Sequence, residues 1–193
     1  MPISRLRAFV AAMTRLVEAS GNAEAEVVPP ARDLLGELVA HDDWLPEAFA
    51  RPDPERTSKY LLWGDPLERF SLVSFVWGPG QRSPVHDHTV WGLIGMLRGA
   101  EISTPYARAD GTDALVAGAA TWLRPGMVER VSPAAGDIHA VANALEDRAS
   151  ISIHLYGGNI GTIRRHAFDP VTGGATAFVS GYTAPMTPNL WTP

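Results

Sequence analysis

From about residue 58 onward the chain has no stretch that could stay helical for long. Short apolar runs alternate with Gly, Pro and Asp, and each interruption reads as a turn. Strands are predicted at residues 60–63, 70–77, 91–97, 101–107, 120–123, 128–131, 139–143, 150–156, 163–168 and 177–179. Many short strands with frequent turns specify a sandwich or a barrel. The predicted fold class is therefore all-β dominated, a small barrel with helices at its N-terminus.

Those helices are readable from spacing. Over residues 3–19, Leu6, Phe9, Val10, Met13, Leu16 and Val17 fall on one face. Ser20, Gly21 and Asn22 supply a stop. Residues 27–30 break the pattern, and a second helix is predicted over 31–39 with Leu34, Leu35 and Leu38 inward. Asp43 is placed to cap a short third helix through Glu47 and Phe49. The expected organisation is one domain: residues 1–57 helical, 58–180 the barrel, and 181–193 an irregular tail carrying Pro185, Pro188 and Pro193.

Composition narrows the function classes. Hydrophobic residues make up 46% of the 193 and charged ones 19%, a balance that builds a core rather than a disordered chain. The net charge of -5, with no basic run, argues against nucleic acid as a partner. A small anionic substrate needs only one or two local cations. The apolar patch around Phe9 meets Thr14, Arg15 and Glu18 too soon for a signal-peptide core, and no run approaches a membrane span. The expectation is a soluble, cytoplasmic protein with no membrane partner. With no cysteine, any metal must be held by nitrogen and oxygen.

Two stretches carry chemistry. His86 and His88 are separated by one residue, so on a strand both imidazoles share a face. A pair of half-buried histidines is also ordinary strand composition. Residues 150–156 alternate strictly: Ser152, His154 and Tyr156 fall on one face, Ile151, Ile153 and Leu155 on the other. That polar face needs either solvent or a satisfied internal network.

The spacing extends further. Gly80 is followed by five residues and then His86-Asp87-His88; later Gly136 is followed by two residues, His139, three residues and Asn143. This two-part pattern resembles the motifs of the cupin superfamily, whose fold is a jelly-roll barrel. Cupins usually add a glutamate to the first motif. Here Gly92 stands at that position, and the proline of the second motif is displaced by one, to Pro133. The resemblance implies a three-histidine metal site of His86, His88 and His139. Three neutral imidazoles leave the opposite side of an ion open, a variant of the facial arrangement of non-haem Fe(II) oxygenases. Zinc or nickel also suits such a donor set.

The run SIHLYGG together with PVHDH resembles the thiol dioxygenase branch of the cupins over residues 58–170. That branch includes cysteine dioxygenase and 3-mercaptopropionate dioxygenase, which use Fe(II) and O2 to convert a thiol to a sulfinate. The longer runs FSLVSFVWGPGQ, HDHTVWGLIGMLRGAE and YGGNIGTIRRHAFDP are most similar to the bacterial 3-mercaptopropionate type. The resemblance implies Fe(II) on the three histidines and Tyr156 beside it, oriented by His154 and Ser152. It implies Arg165, rather than Arg164, on a substrate carboxylate.

The sequence departs from the family in two places. Animal cysteine dioxygenases link a cysteine to the active-site tyrosine; here Gly92 lies at or next to that place, so Tyr156 is unmodified by such a link. Near Tyr60, cysteine dioxygenases carry an arginine and the mercaptopropionate type a glutamine; this chain has Lys59 instead. Lys59 and Tyr60 are the further substrate-contact candidates. Lys59 with Arg165 would suit a thiol bearing two carboxylates, such as mercaptosuccinate. Trp77 and Trp91 are candidates for pocket walls or core. His166, on the other face from Arg165, is expected to be structural, and His41 a surface residue. The expected partners are a small carboxylate-bearing thiol and O2. The rival readings are a zinc or manganese isomerase or hydrolase, and a non-catalytic ligand-binding cupin. No feature specifies an oligomeric state.

Overall fold

The computed structural model describes residues 3–191. Two helices come first, α1 (Ser4–Ser20) and α2 (Glu24–Val39), then a 3-10 turn at Glu47–Phe49. Twelve strands follow: β1 (Ser58–Gly64), β2 (Ser71–Trp77), β3 (Val85–His86), β4 (Gly92–Arg98), β5 (Glu101–Arg108) and β6 (Leu115–Ala117). The remainder are β7 (Thr121–Leu123), β8 (Val128–Val131), β9 (His139–Asn143), β10 (Ser150–Tyr156), β11 (Arg165–Phe168) and β12 (Ala175–Phe178). One sheet has the order β1-β2-β10-β4-β8, the other β12-β11-β3-β9-β5-β6, with β7 also pairing β5. The two sheets form the jelly-roll barrel expected from the strand pattern.

The helices pack on the first sheet, and this decides which face of β10 is inside. Ile151, Ile153 and Leu155 join Leu35, Leu38 and Val39 in one apolar cluster. Burial of each large aliphatic side chain there contributes about 1.5–3 kcal/mol. The alternate residues Ser152, His154 and Tyr156 are then turned into the barrel and are almost wholly buried. Gly95 on β4 lets α2 approach this closely: a Cβ there would lie 2.9 Å from both Leu35 and Val39 side-chain atoms.

The structure corrects several expectations. Residues 27–30 do not break the second helix; α2 begins at Glu24 and contains Pro29 and Pro30. An interior proline costs about 3 kcal/mol through its missing N–H and its ring clash. Here Val27, Val28, Ala31 and Leu35 are all buried by keeping the helix continuous, and that packing offsets the cost. Asp43 does not cap the third helix. It accepts a hydrogen bond from Arg5 Nε at 3.0 Å, and Pro46 precedes the 3-10 turn without a side-chain cap. Two strands lie outside the predicted set: β3, whose two residues are too few to show alternation, and β6 at Leu115–Ala117. Among the described residues no helix is long and apolar enough to cross a membrane.

Candidate metal centre and pocket

Strand pairing assembles the three histidines. His86 on β3 stands directly opposite His139 on β9, and His88 lies two residues beyond His86. The three rings form a near-equilateral triangle, with centroids 4.9 Å apart in each pairing. One ring nitrogen from each lies within 4.8 Å of the others.

Neighbouring groups decide which nitrogen faces the centre. The His86 Nδ1–H donates to the Pro84 carbonyl at 3.1 Å. The His88 Nδ1–H donates to Asp137 Oδ1 at 3.1 Å. Because both partners are pure acceptors, each ring's Nε2 is left with a lone pair. His139 Nδ1 meets the Ser103 hydroxyl at 3.2 Å. His88 Nε2 is buried with no partner among the described residues. A buried lone pair without a donor is costly unless an ion fills the gap, so the residues fit a metal. Burial, then the mutual effect of the rings, lowers His86 to about 3 and His139 well below the usual imidazole range. Neutral imidazoles are the form that binds metal.

Asp137 is the main support of this site. Its carboxylate also accepts the backbone N–H of His88 at 3.1 Å and of Thr89 at 2.8 Å. Burial pushes its pKa up, but the donors of His88 and Thr89 prevail and hold it below the ordinary value. Asp87, between the histidines, turns the other way. It accepts from the His166 backbone N–H at 2.7 Å and pairs with His166 Nδ1 at 2.9 Å, tying β11 to β3.

Beside the triangle lies a cavity of about 370 Å³ lined by His86, His139, His154, Tyr156, Arg165 and Lys59, with Phe75, Trp77 and Tyr182. The β10 residues form a continuous relay. Ser152 Oγ is 2.8 Å from His154 Nε2, and His154 Nδ1 is 2.8 Å from the Tyr156 hydroxyl. Phe75 stacks on the His154 ring with centroids 4.0 Å apart, and Tyr156 stacks on His88 at 5.4 Å. Burial holds His154 well below the usual imidazole range, so the relay is neutral.

Arg165 is 3% exposed and lines the cavity. Its guanidinium sits 4.8 Å from the centre of the Phe178 ring. Its Nε is buried without a partner, and among the described residues no carboxylate pairs with it. A buried cation in that condition is complete only with an anion beside it. Arg164, its neighbour, is exposed. Lys59 also reaches the cavity, and burial followed by the charge of Arg165 lowers its pKa. Tyr60 is a correction. Strand alternation turns it to the opposite face of β1, where its hydroxyl donates to the Arg51 carbonyl at 2.9 Å and its ring meets Phe49 edge-on. Trp91 is likewise in the apolar cluster under the helices, whereas Trp77 lines the cavity. His41 is exposed.

A family model described as cysteine dioxygenase type I matches residues 13–169. The chain belongs to the cysteine dioxygenase type I family. Human cysteine dioxygenase type 1 is 32% identical over 107 residues, covering 54% of this chain and 52% of that protein. The Bos taurus protein of the same name is 31% identical over 107 residues, with the same coverage. The chain thus spans about half the length of the curated relatives it matches. A cupin superfamily protein of Desulfitobacterium hafniense aligns with a TM-score of 0.44 and 16% identity, over 62% of this chain and 94% of that one.

Against this cysteine dioxygenase family background, several pocket residues had no sequence signal. Tyr182 comes from the segment expected to be an irregular tail. Its hydroxyl donates to Asn159 Oδ1 at 2.6 Å and accepts from the Gly161 N–H at 3.1 Å. Thr183 and Lys59 exchange hydrogen bonds, each 2.7 Å long. These bonds close the tail over the cavity. Arg56 and Arg82 add two cations to the rim, and the lining contains no Asp or Glu. A chain of net charge -5 therefore keeps a cationic pocket, which concentrates small anions.

Proposed function

We propose that this chain is an Fe(II)-dependent thiol dioxygenase acting on a small thiol that carries a carboxylate. The single observation that carries the reading is the unpaired, buried Arg165 beside the three converging imidazoles and the Ser152–His154–Tyr156 relay. His86, His88 and His139 would hold the ion. Bound Fe(II) would supply a coordination site for the thiolate and activation of O2. Membership of the cysteine dioxygenase type I family supports the same chemistry. In the overall reaction R–S⁻ and O2 give R–SO2⁻, with both oxygen atoms retained on sulfur.

The chain's own groups bind and orient. Arg165 offers parallel N–H donors to the substrate carboxylate, and Phe178 beneath it restricts its swing. Phe75 and Trp77 form an apolar wall that keeps water from the sulfur. Tyr156 presents its hydroxyl to the reacting groups, with His154 and Ser152 holding its direction. Orientation of this kind is a large part of the rate gain. Lys59 favours a second carboxylate and disfavours an ammonium, so mercaptosuccinate and 3-mercaptopropionate suit the pocket better than cysteine.

Oxygen uptake by the Fe(II)-loaded protein, on adding cysteine, 3-mercaptopropionate and mercaptosuccinate in turn, tests the reading. Uptake with sulfinate formed in equal amount is expected. No uptake with any of these thiols would favour a metal-dependent isomerase or hydrolase, or a ligand-binding cupin.

A further inference from the structure

Glu101 on β5 is fully buried inside the barrel and takes no part in the binding just described. The Ser150 hydroxyl donates to its Oε1 at 3.1 Å, and the Ser152 hydroxyl adjoins the same carboxyl. Its Oε2 is buried with no hydrogen-bond partner among the described residues. Ser152 is the far end of the relay to Tyr156. A buried carboxyl group therefore stands behind three groups in a row, each able to donate or accept.

We propose that Glu101 is the positioning residue that sets which way the relay's protons point, and hence whether Tyr156 offers the pocket a proton or a lone pair. With the carboxyl protonated, its O–H donates to Ser152 Oγ. Ser152 then donates to His154 Nε2. The neutral ring must carry its proton on Nδ1, which donates to the Tyr156 oxygen. The phenol proton is left to point into the pocket. With the carboxylate ionised, every bond reverses: Ser152 donates to Glu101 and accepts from His154 Nε2–H, and Nδ1 accepts the phenol proton. Tyr156 then has only lone pairs for the substrate.

The surroundings favour the protonated form. Burial is the largest cause and pushes the carboxyl up to about 8 against the hydrogen bonds of Ser152 and Ser150. Glu129 of β8 is the charged group facing it and raises it further. Opposite Glu101 in the ladder, β7 presents Leu123 and β9 presents Asn143. The Asn143 amide is occupied by the carbonyls of Trp77, Gly78 and Arg148. Among the described residues no cation balances a carboxylate there.

The inference rests on the dioxygenase reading only for the use made of the Tyr156 proton, so its test begins on metal-free protein. Infrared difference spectra of wild type against Glu101→Gln should show a protonated-carboxyl band that disappears with a midpoint near 8. Resonance Raman spectra, with Tyr156→Phe subtracted, should show Tyr156 switching from donor to acceptor at the same midpoint. Glu101→Gln places an amide N–H toward Ser152 while Ser150 holds the carbonyl, so its Tyr156 signal should not switch. On the Fe(II)-loaded enzyme, wild-type turnover should fall about tenfold per pH unit above the midpoint, a fall that Glu101→Gln lacks. A Tyr156 signal that ignores the carboxyl titration, or that switches equally in Glu101→Gln, overturns the proposal. If Glu101→Gln does not fold, Ser152→Ala serves: the carboxyl band should remain while the Tyr156 switch is lost, and a retained switch is the overturning result. Coupled signals without turnover of any thiol would sink the dioxygenase reading and leave this one standing.

Discussion

Gly92 and Tyr156 face each other across the β4–β10 ladder so closely that a Cβ on Gly92 would lie 2.9 Å from Tyr156 Cδ1. Val131 closes the same space from β8, 3.1 Å from that position. The glycine is thus the gap into which the tyrosine ring fits. Gly92→Ala is expected to push the ring away from His154, costing about 1–3 kcal/mol as overpacking does. A drop in Tm together with a lower kcat at unchanged metal content would bear this out. Wild-type values would show that the ring can move without consequence.

Arg165→Met removes the buried cation while keeping much of its apolar stem. Charge-assisted hydrogen bonds contribute about 1.5–3 kcal/mol each. The expected result is a loss of kcat/KM of at least about tenfold, carried mainly by KM, for any carboxylate thiol. A thiol without a carboxylate should be affected far less, and equal losses on both would remove Arg165 from substrate binding.

Lys59→Gln is expected to shift preference among thiols rather than abolish turnover. The ratio of kcat/KM on mercaptosuccinate to that on 3-mercaptopropionate should fall, and the rate on cysteine should rise. Initial rates on the three thiols with both proteins decide it. An unchanged ratio means that the Lys59 ammonium does not meet the substrate.

Asp137→Ala leaves His88 Nδ1 and two backbone N–H groups without their acceptor. Supporting residues of this kind change metal affinity by about 10–100-fold. Competition with a chelator should show a weaker site in the variant, with Asp137→Asn intermediate because its amide oxygen still accepts one bond. Equal affinity in all three proteins would assign the metal elsewhere.

The buried Glu101 also links stability to pH. Its pKa rises from an ordinary 4.5 to about 8 on folding, so between these values the folded protein keeps a proton that the unfolded chain has released. Stability contributed by this group is full below the lower value and is lost as pH rises through the window. The slope is about 1.4 kcal/mol per pH unit within it. Glu101→Gln cannot ionise, so its Tm relative to wild type should climb across the window and level off above it. A constant difference would show that the carboxyl ionises as readily when folded as when unfolded.

Much of the barrel is legible in the residues. Residues 128–131, 139–143 and 150–156 are predicted as strands with the boundaries that β8, β9 and β10 have. Alternation is a local property, and four or more residues suffice to display it. Two-residue β3 escapes because its status depends on its partners β9 and β11. Pro29 and Pro30 mislead for the converse reason: their local preference is real, but burial along α2 outweighs it. Tyr182 and Glu101 lie outside both histidine motifs, and no spacing rule connects them to His86; Asp137 falls inside the second motif, but its role depends on the fold that brings it to His88.

The sequence by itself determined the strand grammar, the pairing of polar and apolar residues on β10, and the histidine spacing that resembles the cupin motifs. It also excluded thiolate ligands and a thioether, because there is no cysteine. Tertiary structure decided which face of β10 is inside. The helices cover the isoleucine face, and a sheet with one apolar face under helices must turn the other inward. That choice buries Ser152, His154 and Tyr156 inside the barrel, with the Tyr156 ring stacked on His88. It also leaves Lys59 in the pocket and turns Tyr60 out of it, because neighbouring residues on a strand point opposite ways.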